Sequence, residues 1–454
     1  MTDHSSHLRN SESTVDRRGF LSATTAGTLL LAGCLGNGDD DLADGDDNGT
    51  TVQNGEDEDV NAVPVFEFID DPPEAVYVPT HRETMRMYDP LVDGDLALAP
   101  MLSYPHPFWI VAGSRTDAVE RVEPDDSRGV HMMFTAWDRE TGVVLPVDEG
   151  ATVRLHKNGE QVGSPRSLWT MISQQMGFHF GDNIPLPEDG TYTAEVTLPP
   201  LETRLTGDLA GRLTDTARFV FEFTYDRTFR DDVVSVEFLD ESLWGERGAL
   251  EPMNHDDHGS HDDGHNGHGN HDNGHNGHDG HNGHDNHDGH NGHDNHDGHT
   301  EHEGHPEIPY SALPDVDAYP GTLLTAPDTE LPTETQALPR SGDAAFVATV
   351  LDTSHRLAAD ESYLLVSPRT PYNRVPLADM SVRVEITRNG ETVTDSSLTQ
   401  TIDSEFDLHY GGAVPELHSG DSVTIHIDSP PQVARHQGYE TAFLRMDSLE
   451  LQVS

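Results

Sequence analysis

Short runs in which every second residue is apolar recur along the chain from about residue 60. In the run from Tyr192 to Leu198, the residues Tyr192, Ala194, Val196 and Leu198 fall on one face, the period of a strand with one buried side. GATVRLHKNGE, ending at Glu160, and ARFVFEFTYD, ending at Asp226, read as further strands, and turns rich in Gly, Pro and Asp separate such runs. Long stretches with the period of an amphipathic helix are absent. The pattern predicts an all-β protein made of sandwiches.

Two sets of these strands echo each other. VRLHKNGE, ending at Glu160, returns as VEITRNGE, ending at Glu391. FHFGDNIPLPEDG then answers LHYGGAVPELHSG, with 20 residues from Gly159 to His179 and 19 from Gly390 to His409. Each set continues with a Gly, a strand and a double proline, Pro199-Pro200 and Pro430-Pro431. One sandwich is therefore expected at 61–250 and a related, degenerate one at 341–454. Between them, 251–340 reads as a linker, first His-rich and then Pro-rich.

Seventeen of the chain's 29 histidines lie between His255 and His305, among Asp, Asn and Gly. With no apolar residue to bury, this tract is expected to be disordered. Neutral imidazoles would let it collect divalent metal ions without fixed geometry. The formal charge is −56, from 82 acidic against 26 basic residues, and Lys157 is the sole lysine. Self-repulsion on that scale is relieved in concentrated salt, where the Debye length falls to about 3 Å, so the surface suits brine. It also argues against nucleic acid as a partner.

The first 33 residues read as an address: paired Arg17 and Arg18, an apolar stretch too short to span a bilayer, then LAGC. This resembles a twin-arginine export signal with a lipoprotein box, which implies lipid attachment to Cys34, the only cysteine. An acidic tether, 34–60, follows. The implied location is the outer side of the membrane, anchored by lipid.

Candidate chemistry is sparse elsewhere. No HExxH or GxSxG occurs and the one lysine lies on a predicted turn, so an enzyme is not expected. Imidazole and thioether side chains do cluster. MISQQMGFHFG places Met171 and His179 just before a strand, and VHMMF puts His131 and Met133 on one face. His81, Met85 and His106 lie upstream. Such donors suit copper or ferrous iron better than calcium or magnesium. The second copy keeps His409 and adds His436, but reads SYLLV where the first reads VHMMF.

These stretches, from AVYVPTHRETM through VHMMFTAWD to the double proline, resemble the periplasmic iron-transport lipoproteins with an immunoglobulin-like domain, here of haloarchaeal type with a related second domain. The resemblance covers roughly 75–225. It implies an immunoglobulin-like sandwich there, which the repeat extends to two, with His131, Met171 and His179 as ligands. Met133 stands where that family has an acidic residue, and Leu213, in GRLTD, where it has a late histidine. His81, Met85 or His106 would then complete the set. The implied cargo is iron, with copper, zinc or manganese as alternatives, and a membrane metal permease is the implied partner. The competing reading is a cell-surface structural lipoprotein whose His-rich spacer only buffers metal.

Overall fold

The predicted alternation becomes strand in the computed structural model, which describes residues 66–253 and 308–453 apart from 112, 114–118, 125–127, 147–149, 234–235, 328 and 330. The export motif with Arg17 and Arg18, the lipidation residue Cys34, the tether and the His tract lie outside the described residues. Strand Gly190–Leu198 buries Tyr192, Ala194, Val196 and Leu198 and pairs with Ala217–Tyr225 on one side and Thr152–Lys157 on the other. With Glu160–Ser167 these strands form one layer of the first sandwich. The opposing layer runs Met85–Met87, Leu96–Ser103, Gly129–Asp138, Gly177–Pro185, Trp169–Ser173. Met132, Phe134, Phe178 and Phe180 from this layer join Tyr192, Val196, Phe219 and Phe223 in the core. Strand Gly129–Asp138 is buried along its whole length. Its even-numbered apolar side chains fill the sandwich, so His131 and Met133 project from the other face, which is also covered.

The second half repeats the plan. Ser362–Arg369 pairs with Ala344–Leu351 and Asp407–Val414, and the latter with Thr399–Asp403. Ser381–Arg388, Glu391–Ser397, Ser422–Ser429 and Leu449–Val453 form the other layer. Thr322–Thr325 pairs with both Ala344–Leu351 and Leu449–Val453, joining the layers at one corner. Residues 308–340, assigned to the linker for their proline content, bury Leu313, Val316, Tyr319, Leu324 and Leu338. Their apolar side chains are too widely spaced to show a period, yet each fills a gap in the second sandwich or between the halves.

The halves exchange strands. Ala434–Arg435, from the second half, lies parallel to Trp169–Ser173 and antiparallel to Phe108–Val111 of the first. Reciprocally, Arg204–Thr206 of the first half lies parallel to Thr399–Asp403 of the second. Registers make the exchange symmetric: Met171 faces His179 and Ala434, while Thr401 faces His409 and Arg204. Each half thus completes its sheet with backbone from the other. Pulling them apart would exchange these backbone bonds for bonds to water, at about 0.5–1.5 kcal/mol for each, and would expose the apolar side chains of a core that spans both halves. Described residues 66–453 of the metal-free protein should therefore unfold as one cooperative unit. Scanning calorimetry should show a single transition with calorimetric and van't Hoff enthalpies in agreement. Two resolved transitions would contradict the exchange.

Candidate metal centre

His131 reaches the centre from the middle of its strand. Its neighbours in register are Ser103 and Asn183. His179 stands on the adjacent strand, opposite Met171. His106 comes from a turn between two prolines, Pro105 and Pro107, that leads into strand Phe108–Val111. His436 follows the exchanged strand, and its N–H donates to the Ile172 carbonyl at 3.1 Å. The loop carrying it is held by the fully buried Arg435, whose guanidinium donates to the carbonyls of Pro431, Tyr439 and Ala442. Ligand atoms of His106, His131 and His436 all lie within 4.8 Å of one another. His179 Nε2 is 3.2 Å from His436 Nε2, and His106 Nε2 is 3.3 Å from His436 Nδ1.

The hydrogen bonds assign the tautomers. His131 Nδ1 lies 3.0 Å from Asn183 Oδ1, whose amide nitrogen in turn donates to the His106 carbonyl at 2.8 Å. His179 Nδ1 lies 3.2 Å from the Gly177 carbonyl, and His106 Nδ1 lies 3.0 Å from the Tyr104 carbonyl and 3.1 Å from Glu83 Oε2. Each of these acceptors takes an Nδ1–H, so three rings turn an Nε2 lone pair inward. His436 has one N–H for two neighbouring lone pairs. Wherever that hydrogen sits, one pair of acceptors is left facing each other, and His131 Nε2 is buried without a partner. A buried acceptor in that state costs about 1–3 kcal/mol.

A metal ion resolves both defects. Held by His106, His131 and His436 Nδ1, it leaves the His436 Nε2–H to donate to His179 Nε2, and bonds of about 2.0–2.1 Å from a tetrahedral ion to imidazole place nitrogens about 3.3–3.4 Å apart, close to the 3.3 Å between His106 Nε2 and His436 Nδ1. Gly181 leaves the space open: a Cβ there would stand 3.1 Å from Met171 Sδ and 3.4 Å from His131 Nε2. Met171 is fully buried and brings a thioether to the edge of the histidine cluster. Burial keeps the rings neutral and ready to bind. It holds His179 down to about 4 against the Gly177 carbonyl's opposite pull, and holds His131 well below the usual imidazole value, with His106 adding to the effect. His436 is lowered in the same way by burial and by the three rings around it. For His106, burial outweighs the raising influence of Glu83.

The structure therefore brings together His106, His131, Met171, His179 and His436. His81, Met85 and Met133 lie apart from them, lining an adjoining pocket. Leu213 is the residue that the resemblance set against a late histidine. It is a core residue whose carbonyl accepts from the Leu201 N–H at 3.0 Å. The strand registers instead align Arg204-Leu205-Thr206 with Ala434-Arg435-His436, so Thr206 stands where His436 does. Glu83 was missed: it lies on a three-residue strand that pairs with Val236–Phe238, a pairing that no local pattern announces.

His409 sits in the equivalent place of the second half, and that place is filled. Tyr363 replaces His131 in register, Thr401 replaces Met171 and Thr206 replaces His436. His409 Nδ1 lies 3.2 Å from the Asp407 carbonyl, as His179 does from Gly177, but its Nε2 accepts from the Tyr363 hydroxyl at 3.2 Å. A Cβ at Gly411, the equivalent of Gly181, would collide with that hydroxyl. The tyrosine occupies the space that the first half leaves to an ion.

Residues 320–452 match a family described as a domain of unknown function, DUF7350. No curated protein matches the chain. Among solved structures, it is similar to FetP of uropathogenic E. coli strain F11 as isolated from recombinant periplasmic expression, with 19% identity, 31% of this chain and 96% of that chain covered, and a TM-score of 0.23. A copper-bound variant of FetP gives 18% identity, 31% and 97% coverage, and a TM-score of 0.23.

Burial of neutral imidazoles has a consequence for stability. His106, His131, His179, His409 and His436 all have folded values below the ordinary one, His179 and His409 at about 4. Their stabilising contribution is fully present above about pH 6.5 and is lost as pH falls towards the folded values, because the unfolded chain binds more protons there. At pH 5.5 the metal-free protein should take up protons on unfolding. The uptake is reduced by those that Asp407, raised by burial to about 7, and Glu440, also raised by burial, already carry when folded. Unfolding enthalpies measured in buffers of different ionisation heat should report net uptake. No uptake, or net release, would contradict neutral buried rings.

Proposed function

We propose that the protein is an extracytoplasmic, membrane-anchored lipoprotein that binds a transition-metal ion at this centre for uptake or delivery. The observation that carries the reading is the convergence of four buried imidazoles with more lone pairs than hydrogens between them. Imidazole nitrogens and a thioether favour copper or ferrous iron as cargo over calcium or magnesium. Buried ligands exchange an ion slowly with bulk solution, which suits a carrier handing metal to a membrane permease. The centre presents ligands and no activated nucleophile, so the reading is of binding rather than catalysis. Location rests on the paired Arg17 and Arg18 and on Cys34. Among the described residues no helix is long and apolar enough to cross a membrane, so the lipid on Cys34 would serve as the anchor.

The test is metal affinity of the full chain in high salt, with a chelator holding free metal low enough to leave the tract histidines empty. His131→Ala, His179→Ala or His436→Ala should each weaken the tight site by about 100-fold or more. The His131→Ala/His179→Ala double variant should be far from additive. Met171→Leu keeps volume and should weaken a soft ion most, and His409→Ala should change nothing. Unchanged tight binding after both His131→Ala and His179→Ala would sink the centre and favour a structural lipoprotein.

Fractionation of cells tests the location. Arg17→Lys with Arg18→Lys should hold the precursor in the cytoplasm, and Cys34→Ser should release the exported protein from the membrane. Export and anchoring like the parent would refute the signal assignment.

A further inference from the structure

An open pocket adjoins the histidine cluster, and its lining includes His81, Glu83, Met85, Met133, Met176 and His436. Met85 is opposite Ser103, which is itself opposite His131, and Met133 is two residues along from His131. The thioethers therefore sit on the face from which His131 projects. His436 borders both pocket and cluster. Glu83 links them a second time, since its Oε2 lies 3.1 Å from His106 Nδ1.

The mouth has its own mismatch of acceptors. His81 Nδ1 lies 2.8 Å from Thr80 Oγ1. That hydroxyl has two acceptors for its single hydrogen, the Glu67 carbonyl at 2.6 Å and Gln437 Oε1 at 3.1 Å. Its oxygen therefore accepts the His81 Nδ1–H, and His81 Nε2 is left as a lone pair. This lone pair faces Glu83 Oε1 at 3.7 Å, with the His81 side chain 4% and the Glu83 side chain 25% exposed. Two acceptors across such a gap match a cation with bonds of about 2.0–2.2 Å to each. Around them stand three thioethers, donors that discriminate for soft monovalent ions.

We infer that this pocket is a second metal position, an entry site for an ion of the copper(I) class. Met85, Met133 and Met176 hold the ion with His81 and Glu83, and it passes through His436 to the buried cluster. The inference rests on the metal-binding reading of that cluster. The ion changes ligands without changing oxidation state, so no electron donor or acceptor is required. The carboxylate of Glu83 supplies the negative charge that attracts the ion, and the thioethers select it.

The test uses the full chain, without oxygen, and copper(I) supplied as its bicinchoninate complex with excess bicinchoninate to keep the tract empty. A Met85→Leu/Met133→Leu/Met176→Leu variant preserves volume and apolarity. Its buried site should reach the parent's affinity at equilibrium but load about tenfold more slowly or worse. In a His131→Ala/His179→Ala background, one weaker copper(I) should remain, with sulfur neighbours visible by X-ray absorption, and the three Leu substitutions should remove it. Loading of the triple variant at the parent rate would overturn the entry site, as would absence of sulfur-bound copper in the His131→Ala/His179→Ala protein. Parent-like tight binding in that double variant would instead overturn the buried centre, while the methionine variant's loading rate still decides the pocket. Parent-like equilibrium affinity in the triple variant shows that its fold is intact.

Discussion

The ion-binding capacity of each half is set by the two- or three-residue strand it receives from the other. Backbone pairing of Ala434–Arg435 against Trp169–Ser173 leaves no freedom in where the next residue goes. His436 arrives beside His179 because the strand before it is locked in register and Arg435 is tied to three carbonyls behind it. The same exchange in the other direction delivers Thr206, which reaches no ion and donates to Asp403 Oδ2 at 2.5 Å. One backbone plan is used twice with different side chains at its end. It yields one cluster with converging lone pairs and one place closed by Tyr363.

Preorganisation would favour tight binding of an ion in the first place. Asn183 and the carbonyls of Gly177 and Tyr104 fix which nitrogen of each ring carries hydrogen, so the rings lose little freedom when metal binds. Burial lowers the competition from protons, since a charged imidazole would be poorly solvated there. In the second half the same carbonyl anchor holds His409, but the Tyr363 hydroxyl satisfies its free nitrogen and removes the incentive to bind. The difference between a ligand and a structural histidine lies in what faces its second nitrogen.

Much of this was legible in the sequence, and the failures share a cause. Alternation from Tyr192 to Leu198 specified a strand and its buried face, because period two is a local property. The paired motifs ending at Glu160 and Glu391 disclosed the repeat, and the comparison of VHMMF with SYLLV located the position where His131 gives way to Tyr363. His131, Met171 and His179 were grouped by the family resemblance, and adjacent strands do join them. Contacts made by very short strands were not legible. The role of His436 depends on Ala434–Arg435 crossing to the first sheet, and that of Glu83 on a three-residue strand. A two-residue strand carries no period to read, and its partner is chosen by the whole fold.

In the proposed holo-protein a single ion sits between rings drawn from both halves. Crystals of the full chain grown with one equivalent of copper, with diffraction collected above and below the copper absorption edge, test it most directly. One dominant anomalous peak should appear, bounded by His106, His131, His179 and His436, on the Met171 side of Gly181. A peak beside His409 and Tyr363, or none near His436, would contradict it.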